Sequence, residues 1–199
     1  MIEVELKSVV DDVDECRARL EAAGAVLSFA GRLEDRRYDS GDRSLALRDH
    51  VLRTRAYRDA LGTRVRAELG WKGPTEYVAG YKQREEIGVN VDEPLALAQL
   101  LDRIGLVVTM AIDREIWQYE LGGAVVRFER YPRMDDLVEV EGDPDAIEHA
   151  IAVLDLPRAG FTSERLPEFV RRFEERTGER AALSDGALAG RVSYDTNNA

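Results

Sequence analysis

Charged and apolar residues alternate along stretch after stretch of this chain, and a period of two leaves few ways to fold. The first such stretch is Ile2-Glu3-Val4-Glu5-Leu6-Lys7. In a strand, residues two apart share a face, so the alternation predicts Glu3, Glu5 and Lys7 on one side and Val4 and Leu6 on the other. Two carboxylates side by side repel each other unless a cation or a proton lies between them, so this row needs partners from elsewhere. Residues 51–57 alternate in the same way, with Arg53 and Arg55 against Leu52, Thr54 and Ala56. Residues 63–72 set Arg64, Arg66, Glu68 and Lys72 against Val65, Ala67, Leu69 and Trp71. Lys82, Arg84 and Glu86 mark a strand over 79–91, Arg127 and Glu129 one over 124–131, and Glu139 and Glu141 a last one from residue 137.

Between these rows the period changes. Asp11 or Asp12 can cap a helix running to about residue 23, with Gly24 as its stop. Helical spacing returns over 94–104, from Asp143 or Asp145 to about 154, and over 164–177. Residues 25–39 read as one or two strands, and 107–112 and 114–121 as two more. The layout is two similar blocks, each of strand, helix and antiparallel hairpins, occupying 1–180 as one domain, with a polar and flexible tail over 181–199. The fold class expected is α+β, a closed eight-stranded antiparallel β-barrel with helices packed outside, since closure removes exposed edges. In a barrel the ionic faces can turn inward. Unpaired buried ions cost several kcal/mol each, so acidic and basic rows must then pair, or a metal and an anion must fill the space between them. For any one strand taken alone, a solvated outer face is the simpler reading.

Composition narrows the function. A chain of 199 residues that is 44% hydrophobic can bury one substantial core. No apolar run approaches the ~18–20 residues of a membrane span, and no signal peptide is read, so no membrane partner is expected. Cys16 is the single cysteine, which fits a reducing cytoplasm and excludes an internal disulfide. His50 and His149 are too far apart in sequence to suggest a zinc site, so any metal should be a hard ion held by oxygens. The net charge of −11 argues against binding duplex nucleic acid through a basic surface. Yet Arg53, Arg55, Arg64, Arg66, Lys72, Lys82 and Arg84 crowd into one third of this acidic chain.

Glu139 and Glu141 repeat the spacing of Glu3 and Glu5, and Glu129 is close to them in sequence. Such carboxylates suit Mg2+ or Mn2+, which take oxygen ligands and retain substrate phosphates. Lys7, Arg53, Arg55, Lys72, Arg84 and Arg114 suit a polyphosphate, because guanidinium binds phosphate through two donors. Together these parts describe phosphoryl transfer, where catalysis is mostly positioning and charge neutralisation. A Gly-rich phosphate-binding loop is missing from the sequence.

In these residues the chain resembles the CYTH family, the triphosphate tunnel metalloenzymes that include class IV adenylate cyclases and thiamine triphosphatases. The family's opening Glu-x-Glu-x-Lys is matched by Glu3, Glu5 and Lys7, and its Leu-Arg-x-Arg strand by Leu52, Arg53, Thr54 and Arg55. Its Tyr-Lys-Gly-Pro is matched by Trp71, Lys72, Gly73 and Pro74, its Arg-x-Glu by Arg84 and Glu86, a later arginine by Arg114, and its closing Glu-x-Glu by Glu139 and Glu141. The resemblance implies an eight-stranded tunnel in which Glu3, Glu5, Glu129, Glu139 and Glu141 ligate metal. It also implies that Lys7, Arg53, Arg55, Lys72, Arg84 and Arg114 hold the phosphates and serve catalysis. Glu129 stands where the family usually has Asp. Ile112 replaces the lysine of a Lys-x-Arg strand, and Arg133-Met134-Asp135-Asp136 replaces a Gly-rich turn; both bear on cyclase activity more than on triphosphate binding. The overall layout is most similar to the class IV cyclase branch, which makes cyclic AMP and pyrophosphate from ATP.

The partner expected is therefore a small triphosphate: ATP, tripolyphosphate or thiamine triphosphate. An inorganic or thiamine triphosphatase, or a polyphosphate- or nucleotide-binding module without turnover, stands as the alternative. Lys82 and Arg127 fit tunnel wall and outer surface equally well, and pairing with a second copy of the chain stays open.

Overall fold

The structure is a computed structural model that describes residues 2–78 and 81–191, without the side chains of Ile2 and Glu3. Its nine strands are β1 (Ile2–Val9), β2 (Val26–Ser40), β3 (Val51–Arg58), β4 (Arg64–Lys72), β5 (Glu76–Val78), β6 (Tyr81–Asn90), β7 (Leu106–Leu121), β8 (Ala124–Arg130) and β9 (Leu137–Glu141). They pair in the order β1-β9-β8-β7-β2-β3-β4-β6, and β6 pairs back onto β1. The result is a closed eight-stranded antiparallel barrel, with β5 added to β6 outside the ring. The five helices are α1 (Val13–Ala22), α2 (Pro94–Arg103), α3 (Pro144–Leu154), α4 (Leu166–Thr177) and α5 (Asp185–Leu188).

The outward residues make the main core. Leu6, Val126, Phe128, Val138 and Val140 pack against Val13, Cys16 and Leu20 of α1 and Ile147, Ile151 and Leu154 of α3. Both helices begin as their sequences predict. Asp12 accepts from the amide of Glu15 at 2.8 Å and Asp143 from that of Ala146 at 3.0 Å, each satisfying a donor left over in a first turn.

Residues 25–39, read as one or two strands, form the single β2 of 15 residues, and the two strands expected over 107–112 and 114–121 are one, β7 of 16. Their ladder runs from Val26 opposite Glu120 to Ser40 opposite Leu106, with irregularities between Leu27 and Phe29 and between Arg37 and Tyr38. Extra residues of this kind let a strand bend without ending, which is how a 15-residue strand follows a barrel wall. Gly31 sits in that stretch, at φ +153°, and a Cβ there would lie 2.1 Å from the carbonyl oxygen of Arg58 on β3. The strand expected from residue 79 begins at Tyr81 among the described residues, residue 79 lying outside them, and the last long helix begins at Leu166.

The inner face is apolar at its margins. Leu33, Tyr57 and Ile116 form a small cluster with Phe29, the rings of Phe29 and Tyr57 meeting edge to face. On another side α4 lays Leu166, Phe169, Val170 and Phe173 over Met110, Ile112, Tyr131 and Leu137. After α4 the chain stays in contact with the barrel. Leu183 accepts from the amide of Asp113 at 2.8 Å, Ala182 and Arg133 form a bridge, and Ser184 caps α5.

Candidate active site

Closing the sheet turns the ionic rows into the wall of one tunnel. Cross-strand register places Lys7 opposite Glu139, Glu5 opposite both Glu141 and Lys82, Asp35 opposite Arg55, and Arg37 opposite Arg53. Residues directly opposite share a face of the sheet, so these pairs meet in the lumen. The cavity they line encloses about 650 Å³, counting its open mouth. Among the described residues its wall carries ten cations against four carboxylates, and only Val51, Tyr131 and Leu166 are not ionic.

The carboxylates are divided between two walls. On β1 and β9, the Lys7 ammonium bridges Glu5 at 2.9 Å and Glu139 at 2.5 Å. Lys82 also pairs with Glu5, and Arg127 with Glu139. Burial pushes the Glu5 carboxyl up, but Lys7 and Lys82 outweigh it and hold the group well below the usual carboxylate range. On β8, Glu129 is nearly inaccessible and contacts Arg127 at 3.0 Å and Arg114 at 3.2 Å, while the Tyr131 hydroxyl donates to it. Burial raises this group too, but the two arginines bring it down to about 2.

The opposite wall, on β2 and β3, is arginine-rich. Among the described residues Asp35 is its single carboxylate lining the cavity, 3.2 Å from Arg55 and 3.9 Å from Arg114. Arg53 and Lys72 share Glu86, at 2.6 and 3.3 Å. Arg84, itself buried, donates to the carbonyls of Gly73 and Asp49, both at 2.6 Å, and Arg165 reaches the Asp49 carboxylate at 2.9 Å and Thr75 at 2.7 Å.

Every basic residue singled out from the sequence, Lys7, Arg53, Arg55, Lys72, Arg84 and Arg114, faces this cavity. Lys82 and Arg127, undecided between wall and surface, are both wall. Of the expected metal ligands, Glu5, Glu129 and Glu139 line the cavity, and Glu141 lies opposite Glu5 in the ladder. The Glu3 side chain lies outside the described residues, although its backbone pairs with Arg84. Among the described residues no three carboxylates converge on one point. The donor chemistry nonetheless fits a hard divalent ion, since two buried carboxylates on adjacent strands already share a cation, Lys7.

Asp35, Arg37, Tyr131 and Arg165 were missed by the sequence reading. Glu34-Asp35-Arg36-Arg37 is charged at four successive positions, so no alternation shows which of them turn inward. Arg165 precedes a helix and belongs to no strand row. Ile112, where a lysine was noted as replaced, is fully buried under α4.

The family model described as CYTH domain matches residues 1–180. No curated protein sequence matches the chain. Among solved structures, a protein of Vibrio parahaemolyticus provisionally named an adenylate cyclase superposes with a TM-score of 0.71 at 18% identity, covering 86% of this chain and 98% of its own. The PH1819 protein of Pyrococcus horikoshii gives 0.69 at 23% identity, covering 85% and 98%. HpAC1 of Hippeastrum, provisionally named an adenylyl cyclase and described as having a dominant triphosphatase activity, gives 0.54 at 15% identity, covering 96% and 97%.

Proposed function

Because the chain belongs to the CYTH family, whose enzymes are in general metal-dependent and bind triphosphates, we propose that the protein hydrolyses a triphosphate held in its tunnel. One observation carries this reading. Among the described residues ten cations face four carboxylates inside a cavity of a protein whose net charge is −11. An enclosed surplus of guanidinium and ammonium is costly until a polyanion meets it, and oxygen-rich phosphate chains match the forked donors of arginine.

In this proposal Arg53, Arg55, Arg114, Lys72 and Arg84 orient the phosphate chain and offset its charge. Glu5, Glu139 and Glu141, with Glu3 and Glu129, would hold Mg2+ or Mn2+. The ion, when bound, supplies charge neutralisation on the phosphate oxygens. Water attacks the terminal phosphorus as the bond to the bridging oxygen breaks, and the shortened phosphate chain leaves with the charge that Lys7 and Arg127 are placed to stabilise.

Adenylate cyclisation is the second reading, supported by the strand Arg84-Glu85-Glu86-Ile87 and the Asp92-Glu93-Pro94 helix start after it, the layout most similar to the cyclase branch. Pure protein incubated with ATP, tripolyphosphate and thiamine triphosphate, with Mg2+ or Mn2+, separates them. Orthophosphate release is expected. Cyclic AMP and pyrophosphate from ATP would replace the hydrolase by the cyclase, and no turnover or binding of any of the three would sink both.

A further inference from the structure

Among the described residues Arg37 is the tunnel arginine without an ion pair, whereas Arg114, whose Nε also lacks a well-aligned hydrogen bond, lies 3.2 Å from Glu129. The Arg37 Nε and Nη1 atoms are shielded from solvent and make no hydrogen bond to the described residues. The groups that act on it are Asp35, which favours its charge, and Arg53, Arg114 and Arg55, which oppose it. Asp35 is shared through Oδ2 by Arg55 at 3.2 Å and Arg114 at 3.9 Å, and its Oδ1 makes no hydrogen bond to Arg37 or to any other described residue. Burial first, then these like charges, bring the guanidinium down to about 10. Across the ladders Arg37 faces Arg53 on one side and Met110 on the other, so neither neighbouring strand offers it an anion.

The position of β2 in the ring gives this a direction. In the order of the strands β2 lies diametrically across the barrel from β1, which carries Glu5 and Lys7. One wall pairs its carboxylates with cations, and the facing wall gathers Arg37, Arg53, Arg55 and Arg114 around Asp35. Donors buried without acceptors are rare in folded proteins because each costs the full loss of its hydration, so an unmet guanidinium in a cavity points to an acceptor brought by a ligand.

We propose that Arg37 is a substrate-binding residue of the tunnel, donating Nε and Nη1 to oxygens of the phosphate chain on the wall opposite the carboxylates. The assignment rests on the reading of the tunnel as a triphosphate site, and it adds a contact that the alternating rows did not contain. It also makes the residue one that trades stability for binding, since the same charge that grips a polyanion is unfavourable without one.

The test uses the full chain, tripolyphosphate with Mg2+, and two readouts: calorimetric affinity, and the melting temperature without ligand. Arg37→Met, similar in length and uncharged, is expected to bind tripolyphosphate at least tenfold more weakly while melting no lower than wild type. Arg37→Lys, which keeps the charge but loses the fork, is expected to fall between the two in affinity. Wild-type affinity in both variants would overturn the assignment. So would loss of affinity accompanied by a lower ligand-free melting temperature in both, which would make Arg37 a structural residue. If wild type itself did not bind tripolyphosphate, the tunnel reading would fail and Arg37 with it. Binding by wild type and both variants alike would remove Arg37 alone.

Discussion

At the scale of single residues, the tunnel is a set of buried ions whose mutual compensation decides what each can do. Asp35 is the anion shared by Arg55 and Arg114, and it is almost wholly inaccessible. Asp35→Ala leaves those guanidiniums in the wall without it, and breaking a buried pair in this way costs about 3–5 kcal/mol. Urea unfolding of the ligand-free protein should show that loss, and added tripolyphosphate should recover part of it by replacing the missing anion. Acid has a related effect. The Glu129 carboxyl sits at about 2 instead of its ordinary 4.5, so its stabilising contribution is complete above pH 4.5 and is lost as pH falls towards 2. Melting temperature should therefore drop across that window. Glu129→Gln should flatten the drop, and an unchanged slope in the variant would show that Arg114 and Arg127 do not hold the group as described.

Elements decide whether these residues meet at all. Alternation made the inward residues of β3, β4 and β9 legible, because one face is ionic and the other largely apolar; on β6 it set Lys82, Arg84 and Glu86 on one face although Gln83 and Glu85 occupy the other. It failed at β2, where charges at 34, 35, 36 and 37 mask the period and only pairing with β3 and β7 selects Asp35 and Arg37. It also read β7 as two strands and left β2 as one or two, since local sequence does not show that an irregular ladder can bend and continue. Gly31 is where that continuity is most exposed to test. A side chain there meets the Arg58 backbone carbonyl, which cannot rotate away, so Gly31→Ala should cost about 1–3 kcal/mol by overcrowding. Equal denaturation midpoints for wild type and variant would mean that β2 and β3 separate there without cost.

For the whole molecule, the charge balance is inverted between inside and outside. The chain as a whole is at −11 while the cavity wall carries more than twice as many cations as carboxylates. A negative exterior disfavours large polyanions at the surface, and the lumen admits one only as a narrow chain of phosphates. Tripolyphosphate at a hundred times its Kd should therefore stabilise the fold by about 2.7 kcal/mol, visible as a rise in melting temperature. Duplex DNA at the same phosphate concentration should leave it unchanged. A larger shift with DNA than with tripolyphosphate would place the binding surface outside the tunnel.

The sequence by itself determined which side chains share a face, because a strand turns each residue half a revolution from the last and the ionic rows follow that period. It thereby marked wall residues such as Lys7, Arg53, Arg55 and Glu139, though not Asp35 or Arg37, and the barrel that could hide them. Only the tertiary structure decided which ions pair: Lys7 with both Glu5 and Glu139, Glu129 with two arginines, and Arg37 with no hydrogen-bond acceptor among the described residues for two of its nitrogens. Pairing depends on which strands become neighbours on closure and on how far a bent strand shifts its register. Both are fixed by contacts between residues as distant in sequence as Lys7 and Glu139, and no local pattern encodes them.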